Sequence, residues 1–159
     1  MFEKSEIIEI EKLRVQRALI AITTAAERGD AEKVRSLLTA EVSLDLVGLP
    51  CPSVRTSQEI CASSHANAAI FGFTAEAISL PEISVQGSRA TAISFGHTFH
   101  ARPIGPARDL WLLHCRYEHE LVKVDGRWLI AGINMRPVPR EEKAVRRRRS
   151  RAALTALAR

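Results

Sequence analysis

The sequence predicts an α+β fold in which N-terminal helices pack on a strongly curved antiparallel sheet. Apolar residues recur at helical spacing through the first forty positions, whereas from about position 75 onward they alternate as in strands. Asp125-Gly126 parts two strand-like runs, the strongest short-range hairpin signal a sequence offers. Helices that precede the strands, instead of alternating with them, are left to cover one face of the sheet. A curved sheet closed in this way leaves a conical pocket, a common ligand site.

Each element follows in order. Ile8, Val15, Leu19, Ile22 and Ala26 keep helical spacing from Ser5 to about Arg28, and Gly29 ends that helix. Asp30 caps a short second helix through Val34, Leu37 and Leu38. Val42 to Val47 alternates as a strand closed by Gly48-Leu-Pro-Cys-Pro52, and Ser57 to about Phe71 reads as a third helix. Four strands are expected at Ala75–Val85, Ala90–Ala101, Leu110–Val124 and Arg127–Val138, divided by Gln86-Gly87-Ser88, by residues 102–106 and by the Asp-Gly turn.

At 159 residues, 46% hydrophobic and 26% charged, the chain suits one domain with a full core. The net charge of +5 is unevenly placed. Residues 140–159 hold eight basic against two acidic side chains, which leaves 15 basic and 16 acidic residues in 1–139. The domain is therefore read as 1–139 and the rest as a basic tail, a solvated or subunit-contacting extension. No aromatic residue is interleaved with its arginines, which argues against nucleic acid as a partner. Cys51, Cys61 and Cys115 follow no metal spacing and are read as reduced thiols. The charged N-terminus offers no signal or membrane segment, so the expected setting is cytoplasmic. A Gly-rich phosphate loop and a nucleophile elbow are both missing from the sequence.

The candidate chemistry lies on the strands. Leu110 to Val124 has two mixed faces: Trp111, Leu113, Cys115, Tyr117, His119 and Leu121 share one, while His114, Arg116, Glu118, Glu120 and Val122 share the other. Tyr and His among core residues must be exposed, paired or turned into a cavity. In Ala90–Ala101, Ile93, Phe95, His97 and Phe99 share a face, which places His97 between phenylalanines as a catalytic group or as a core-edge histidine bonded to a neighbour. Asp45, among Leu44, Leu46 and Val47, is either solvated at a loop edge or set beside an apolar cavity that raises its pKa. His65, His100 and His114 lack such support and are read as surface or supporting groups. Asp45, His97 and His119 reach the ligand count of a metal site, but no HxH or HxxxH pair anchors one, so metal-free acid–base chemistry is expected.

The helix end AERGD, the short helix VRSLL, the strand EVSLDLVG and the hairpin CRYEHELVKVDGRWLI together resemble the nuclear transport factor 2-like superfamily, in its SnoaL-like branch, over about Ile7 to Arg136. That branch includes polyketide cyclases, scytalone dehydratase, ketosteroid isomerase and bile-acid dehydratases. The resemblance implies a cystatin-like α+β barrel around the conical pocket. Asp45 resembles the general-base aspartate of ketosteroid isomerase, which is likewise followed by a residue, Val and Gly. The isomerase's first-helix oxyanion tyrosine is replaced here by Ile22, and its protonated aspartate falls near Glu120, or at His119 if the strand is bulged. The likeness therefore implies the dehydratase-type set of an Asp, His and Tyr, supplied by Asp45, His97, Tyr117 and His119.

From this follows the expectation of a cofactor-independent lyase that performs dehydration or retro-aldol-type cleavage on a hydrophobic aromatic or polycyclic hydroxy compound. Asp45 or His97 would be the base, and His119 tuned by Tyr117 the acid or oxyanion donor. Ile22, Phe71, Phe73, Phe95, Phe99 and Trp111 would line the substrate, with Arg102 or Arg108 meeting a carboxylate or phenolate. An isomerase or cyclase in the same pocket, or a non-catalytic binding or assembly subunit, are the other readings. Convergence of the four catalytic candidates on one cavity separates them. The exposed sheet face, with Leu110 and Leu112, points to a homodimer.

Overall fold

In the computed structural model, residues 3–46, 52–62, 73–104 and 107–138 are described, with backbone alone for 73–74, 100–104 and 107–111. Helices α1 (Lys4–Glu27) and α2 (Ala31–Ser36) precede strands β1 (Leu38–Asp45), β2 (Ser53–Thr56), β3 (Phe73–Ile78), β4 (Glu82–Gln86), β5 (Arg89–Ile104), β6 (Ala107–Val124) and β7 (Arg127–Pro137). Residues 57–62 form a further helical turn; the rest of the expected third helix, Cys51 and the basic tail lie outside the described residues. The order β2-β1-β7-β6-β5-β3, with β4 also on β5, makes one open seven-stranded sheet. It is mixed, not purely antiparallel: β1 runs parallel to β7 while every other pair is antiparallel. Among the described residues no helix is long and apolar enough to cross a membrane.

Helix α1 begins in a reciprocal cap between Glu3 and Glu6, and α2 begins where Asp30 Oδ1 accepts the Lys33 N–H at 3.0 Å. The second helix is shorter than the spacing implied. Leu37 forms a turn and Leu38 opens β1, because the Leu37 carbonyl accepts the Ile130 N–H at 2.9 Å and draws the chain into the sheet.

The run expected as one strand over Ala75–Val85 is two, parted at Ser79-Leu80-Pro81. Pro81 has no N–H to give a ladder. Ser79 bridges the break: its N–H donates to the Phe95 carbonyl at 2.7 Å, and its Oγ accepts the Phe95 N–H at 3.0 Å. Both pieces thus stay on the same edge of β5, with Leu80, 81% exposed, projecting from the kink.

The Asp125-Gly126 turn has positive φ at both residues, 48° and 76°, as a tight hairpin of this hand requires. In the β6–β7 ladder Glu120 faces Gly132 and Leu121 faces Ile130, so the extra residue of the bulge is Ala131 on β7. Strand β6 keeps strict alternation. Tyr117, His119 and Leu121 are buried while Glu120 stays exposed, and the open question about Glu120 is thereby resolved: it shares the outer face with Glu118.

The inward stripe of α1 includes a charge. Glu11, only 8% exposed, sits with Val15, Ala18 and Ala25 against the sheet. Its carboxylate accepts the Trp128 indole N–H at 2.7 Å and pairs with Lys123 at 2.9 Å and Arg14 at 2.7 Å. The Lys123 hydrogen bond, ahead of an opposing burial effect, holds its pKa below the usual carboxylate range. One side chain therefore ties the helix to both strands of the β6–β7 hairpin. Glu11→Leu leaves the Trp128 N–H without its acceptor and is expected to lower unfolding free energy by about 2 kcal/mol. Urea denaturation checks this, and an unchanged midpoint would show that the tie contributes nothing.

Candidate functional site

Cross-strand pairing sets which side chains look inward. On β5 the inner residues are small, Ala90, Ala92, Ser94 and Gly96, all buried. Tyr117 stands opposite Ser94 and His119 opposite Ala92 on the same inner face. The fit at Gly96 is close: a Cβ there would come within 2.9 Å of the Tyr117 ring, so glycine makes room for the phenol. Next to this inner surface, α1 and the β3–β4 kink border a half-open cavity of about 350 Å³. Leu19, Ile20, Ile78, Leu80 and Pro81 form its apolar wall, and Glu27, Glu76, Ser94 and His119 are among its polar groups.

The polar groups are coupled. Tyr117 Oη and Thr98 Oγ1 share a hydrogen bond of 2.9 Å, and Thr98 Oγ1 reaches Glu76 Oε1 at 3.5 Å. Burial pushes the Glu76 carboxyl above its ordinary pKa, while hydrogen bonds from Tyr117 and Thr98 pull the other way. Burial, reinforced by the Glu76 charge, raises the Tyr117 hydroxyl far above its ordinary value and keeps it protonated. His119 lies nearly parallel to Tyr117, ring centroids 6.2 Å apart. It is 8% exposed, its Nδ1 is buried without a hydrogen-bond partner, and burial lowers its pKa to about 4.

Two of the four catalytic candidates, Tyr117 and His119, therefore meet at the inner surface; Asp45 and His97 do not, so the four fail to converge on one cavity and the elimination site expected from that set is not formed. Asp45 stands on the outer face, opposite Asn134, where Arg136 grips both carboxylate oxygens, Nη1 to Oδ1 at 2.8 Å, and holds its pKa low. Partial burial acts to raise it but is outweighed by the Arg136 hydrogen bonds, and the neighbouring Leu44 and Leu46 pack with the core on the other face. His97 is also outward and exposed, its ring 4.3 Å from that of His114 directly across β6. Alternation correctly grouped Ile93, Phe95, His97 and Phe99, but the small residues between them are the ones facing the helix.

The expected substrate walls shift with them. Phe95 is 47% exposed on the outer face, which Phe99 shares, and Ile22 packs into the main core instead of lining the cavity. Phe71 lies outside the described residues; Phe73, Arg102 and Trp111 are placed by backbone in β3, β5 and β6, with their side chains outside the description. Glu76 and Glu27 escaped the sequence reading. The available signal was Glu76 as the one carboxylate in the small-residue strand Phe73–Ile78.

A histidine held neutral by burial makes stability depend on pH. The unfolded chain takes up its proton near 6.5 and the folded chain only near 4, so the full stability is present above pH 6.5 and falls as pH drops toward 4. His119→Leu is expected to remove this dependence, worth roughly 3 kcal/mol across that window. Unfolding midpoints of both proteins at a series of pH values check it; parallel curves would place His119 in a solvated setting.

Comparison with known proteins agrees with this architecture. The model of the SnoaL-like domain family matches residues 11–134. The fold is similar to the Kfla4162 protein of Kribbella flavida, at 19% identity and a TM-score of 0.75 over 87% of this chain and 96% of that one. It is similar to a Novosphingobium aromaticivorans protein named "Putative Scytalone Dehydratase", at 17% identity, TM-score 0.74, covering 85% of this chain and 89% of that one. A nuclear transport factor 2-like superfamily protein of Salmonella enterica matches at 14% identity and TM-score 0.70, covering 84% and 95%. No curated protein matches in sequence.

Proposed function

The chain belongs to the SnoaL-like domain family, and on that premise we propose that it is a cofactor-independent lyase acting by acid–base elimination on an apolar aromatic hydroxy compound. The observation that carries this reading is one half-open cavity lined by both a carboxyl of raised pKa, Glu76, and a histidine kept neutral, His119. At about 350 Å³ the space lies near the small end of ligand cavities, roughly 300–1,000 Å³, and suits one or two rings.

Glu76 replaces Asp45 and His97 as the base. In a β-hydroxy ketone it takes the proton from the carbon beside the carbonyl, and the electron pair moves onto the carbonyl oxygen. An unpaired buried N–H is costlier than an unpaired lone pair, so His119 carries its proton on Nε2 and presents a neutral donor to that oxygen. With a pKa near 4 it does not serve as an imidazolium acid at neutral pH. The carbonyl re-forms as the carbon–oxygen bond breaks, and the proton on Glu76 passes to the departing hydroxide, which leaves as water. Retro-aldol cleavage uses the same groups: Glu76 takes the hydroxyl proton, the carbon–carbon bond breaks, and the proton returns to the enolate carbon. Tyr117 and Thr98 position Glu76 throughout.

The aldol adduct of benzaldehyde and acetone distinguishes the two routes, since dehydration yields benzylideneacetone and cleavage yields benzaldehyde. Either product is expected to form faster with the protein than without it. Glu76→Gln and His119→Ala are each expected to cut that rate by about 10²–10⁴-fold, while Asp45→Asn and His97→Ala retain it. Equal rates for all five proteins, or exchange of the α-proton with no product, would remove the lyase reading.

The outer sheet face supports a homodimer. Phe95 and Leu112, 47% and 41% exposed, stand on it with the stacked His97 and His114. Sedimentation is expected to give twice the chain mass, and a monomer at micromolar concentration would overturn the assembly.

A further inference from the structure

Among the described residues Glu27 has no counter-charge. It occupies the last turn of α1, where the helix dipole disfavours an anion and where no basic residue of that turn offsets it. Among the described residues it enters no ion pair. Its Oε1 accepts the Glu76 backbone N–H at 3.0 Å, which fixes the carboxylate at the cavity beside a second acidic side chain. The two repel, and the Glu27 charge contributes to the raised pKa of Glu76.

No Lys or Arg is among the described residues that line the cavity. His119, neutral and nine-tenths buried, lines the same space without bringing a positive charge to it. On the other side stands an apolar lip, Ile20 at 58% and Leu80 at 81% exposure. An anion brought into this cavity meets repulsion and loses its hydration, whereas a cation finds an unpaired carboxylate.

We infer that the ligand of this cavity carries a protonated amine, which Glu27 binds as a salt-bridged ammonium while the apolar body of the ligand rests on Ile20, Ile78 and Leu80. The inference rests on the cavity being the reaction site, and it narrows the substrate to hydroxy compounds with a basic nitrogen at one end. Compounds with a carboxylate or phosphate in that position are excluded by the same charges.

Three naphthalene probes that differ only in their end group test it: naphthylmethylamine, naphthylmethanol and naphthoate, titrated by calorimetry into the full chain. The amine is expected to bind at least tenfold more tightly than the alcohol, the naphthoate more weakly than either, and the amine's advantage to shrink as salt is raised. Glu27→Gln keeps an acceptor for the Glu76 N–H and preserves the fold, a point that circular dichroism checks. It is expected to bring the amine to within about twofold of the alcohol while leaving the alcohol's affinity alone. Equal binding of amine and alcohol by the unaltered protein overturns the ammonium site, as does an amine preference that survives Glu27→Gln. If the aldol adduct is still eliminated in either case, the lyase reading stands by itself; failure of all three probes to bind, with no elimination, removes both.

Discussion

Sixteen consecutive cross-strand pairs, from Arg89 opposite Val122 to Ile104 opposite Ala107, bind β5 to β6 and govern what every residue near the cavity does. Within such a ladder a side chain has no choice of face except in company with all its neighbours, because a slip of one residue inverts the whole strand. Burying Ala90, Ala92, Ser94 and Gly96 under α1 therefore commits Tyr117 and His119 to the same side. The same step commits Phe95, His97 and His114 to the opposite one. Small residues on one strand and large polar ones on the next leave volume that neither the helix nor the sheet fills.

The helix that closes this volume is held by a charge. Glu11 lies in an otherwise apolar stripe and is tolerated there because Trp128, Lys123 and Arg14 meet its carboxylate. Those partners come from the β6–β7 hairpin and from α1 itself, so the tight Asp125-Gly126 turn and the placement of the helix are linked through one side chain. At the other end of α1 the logic reverses. Glu27 is set against the helix dipole with no ion-pair partner among the described residues, and the backbone N–H it accepts belongs to another acidic residue, Glu76. The same residue type thus tethers one end of the helix and leaves an unbalanced charge at the other.

The cavity gathers groups that are individually unfavourable to bury. His119 gives up its charge, Glu76 is pushed toward its protonated form, and the Nδ1 nitrogen forfeits a hydrogen bond. Packing that served stability alone would replace them with apolar side chains of similar volume. Their presence together, next to an apolar wall, is the physical ground for reading the cavity as a place where a ligand is bound and protons are moved.

Local chemistry was legible from the sequence wherever neighbours along the chain decide the outcome. Helical spacing located α1, Asp30 marked the start of α2, and Asp-Gly marked the last hairpin, since each depends on contacts a few residues apart. Strand periodicity also grouped residues into faces correctly. It could not say which face is inside, because alternation fixes sides relative to one another and only the docking of α1 makes one of them the interior. That is why Tyr117 and His119 were read at the inner surface while His97, grouped on equally good evidence, stands outside. Asp45 was lost for a related reason: the parallel pairing of β1 with β7 turns it to Asn134 and Arg136, a contact across 91 positions that no local pattern encodes. Glu76 entered the site through the Ser79-Leu80-Pro81 kink and the β3–β5 register. The sequence by itself determined the elements, their faces and the resemblance to a family; the tertiary structure alone decided which face became the cavity and which carboxylates were gathered there, because burial is a property of packed elements and not of a strand read alone.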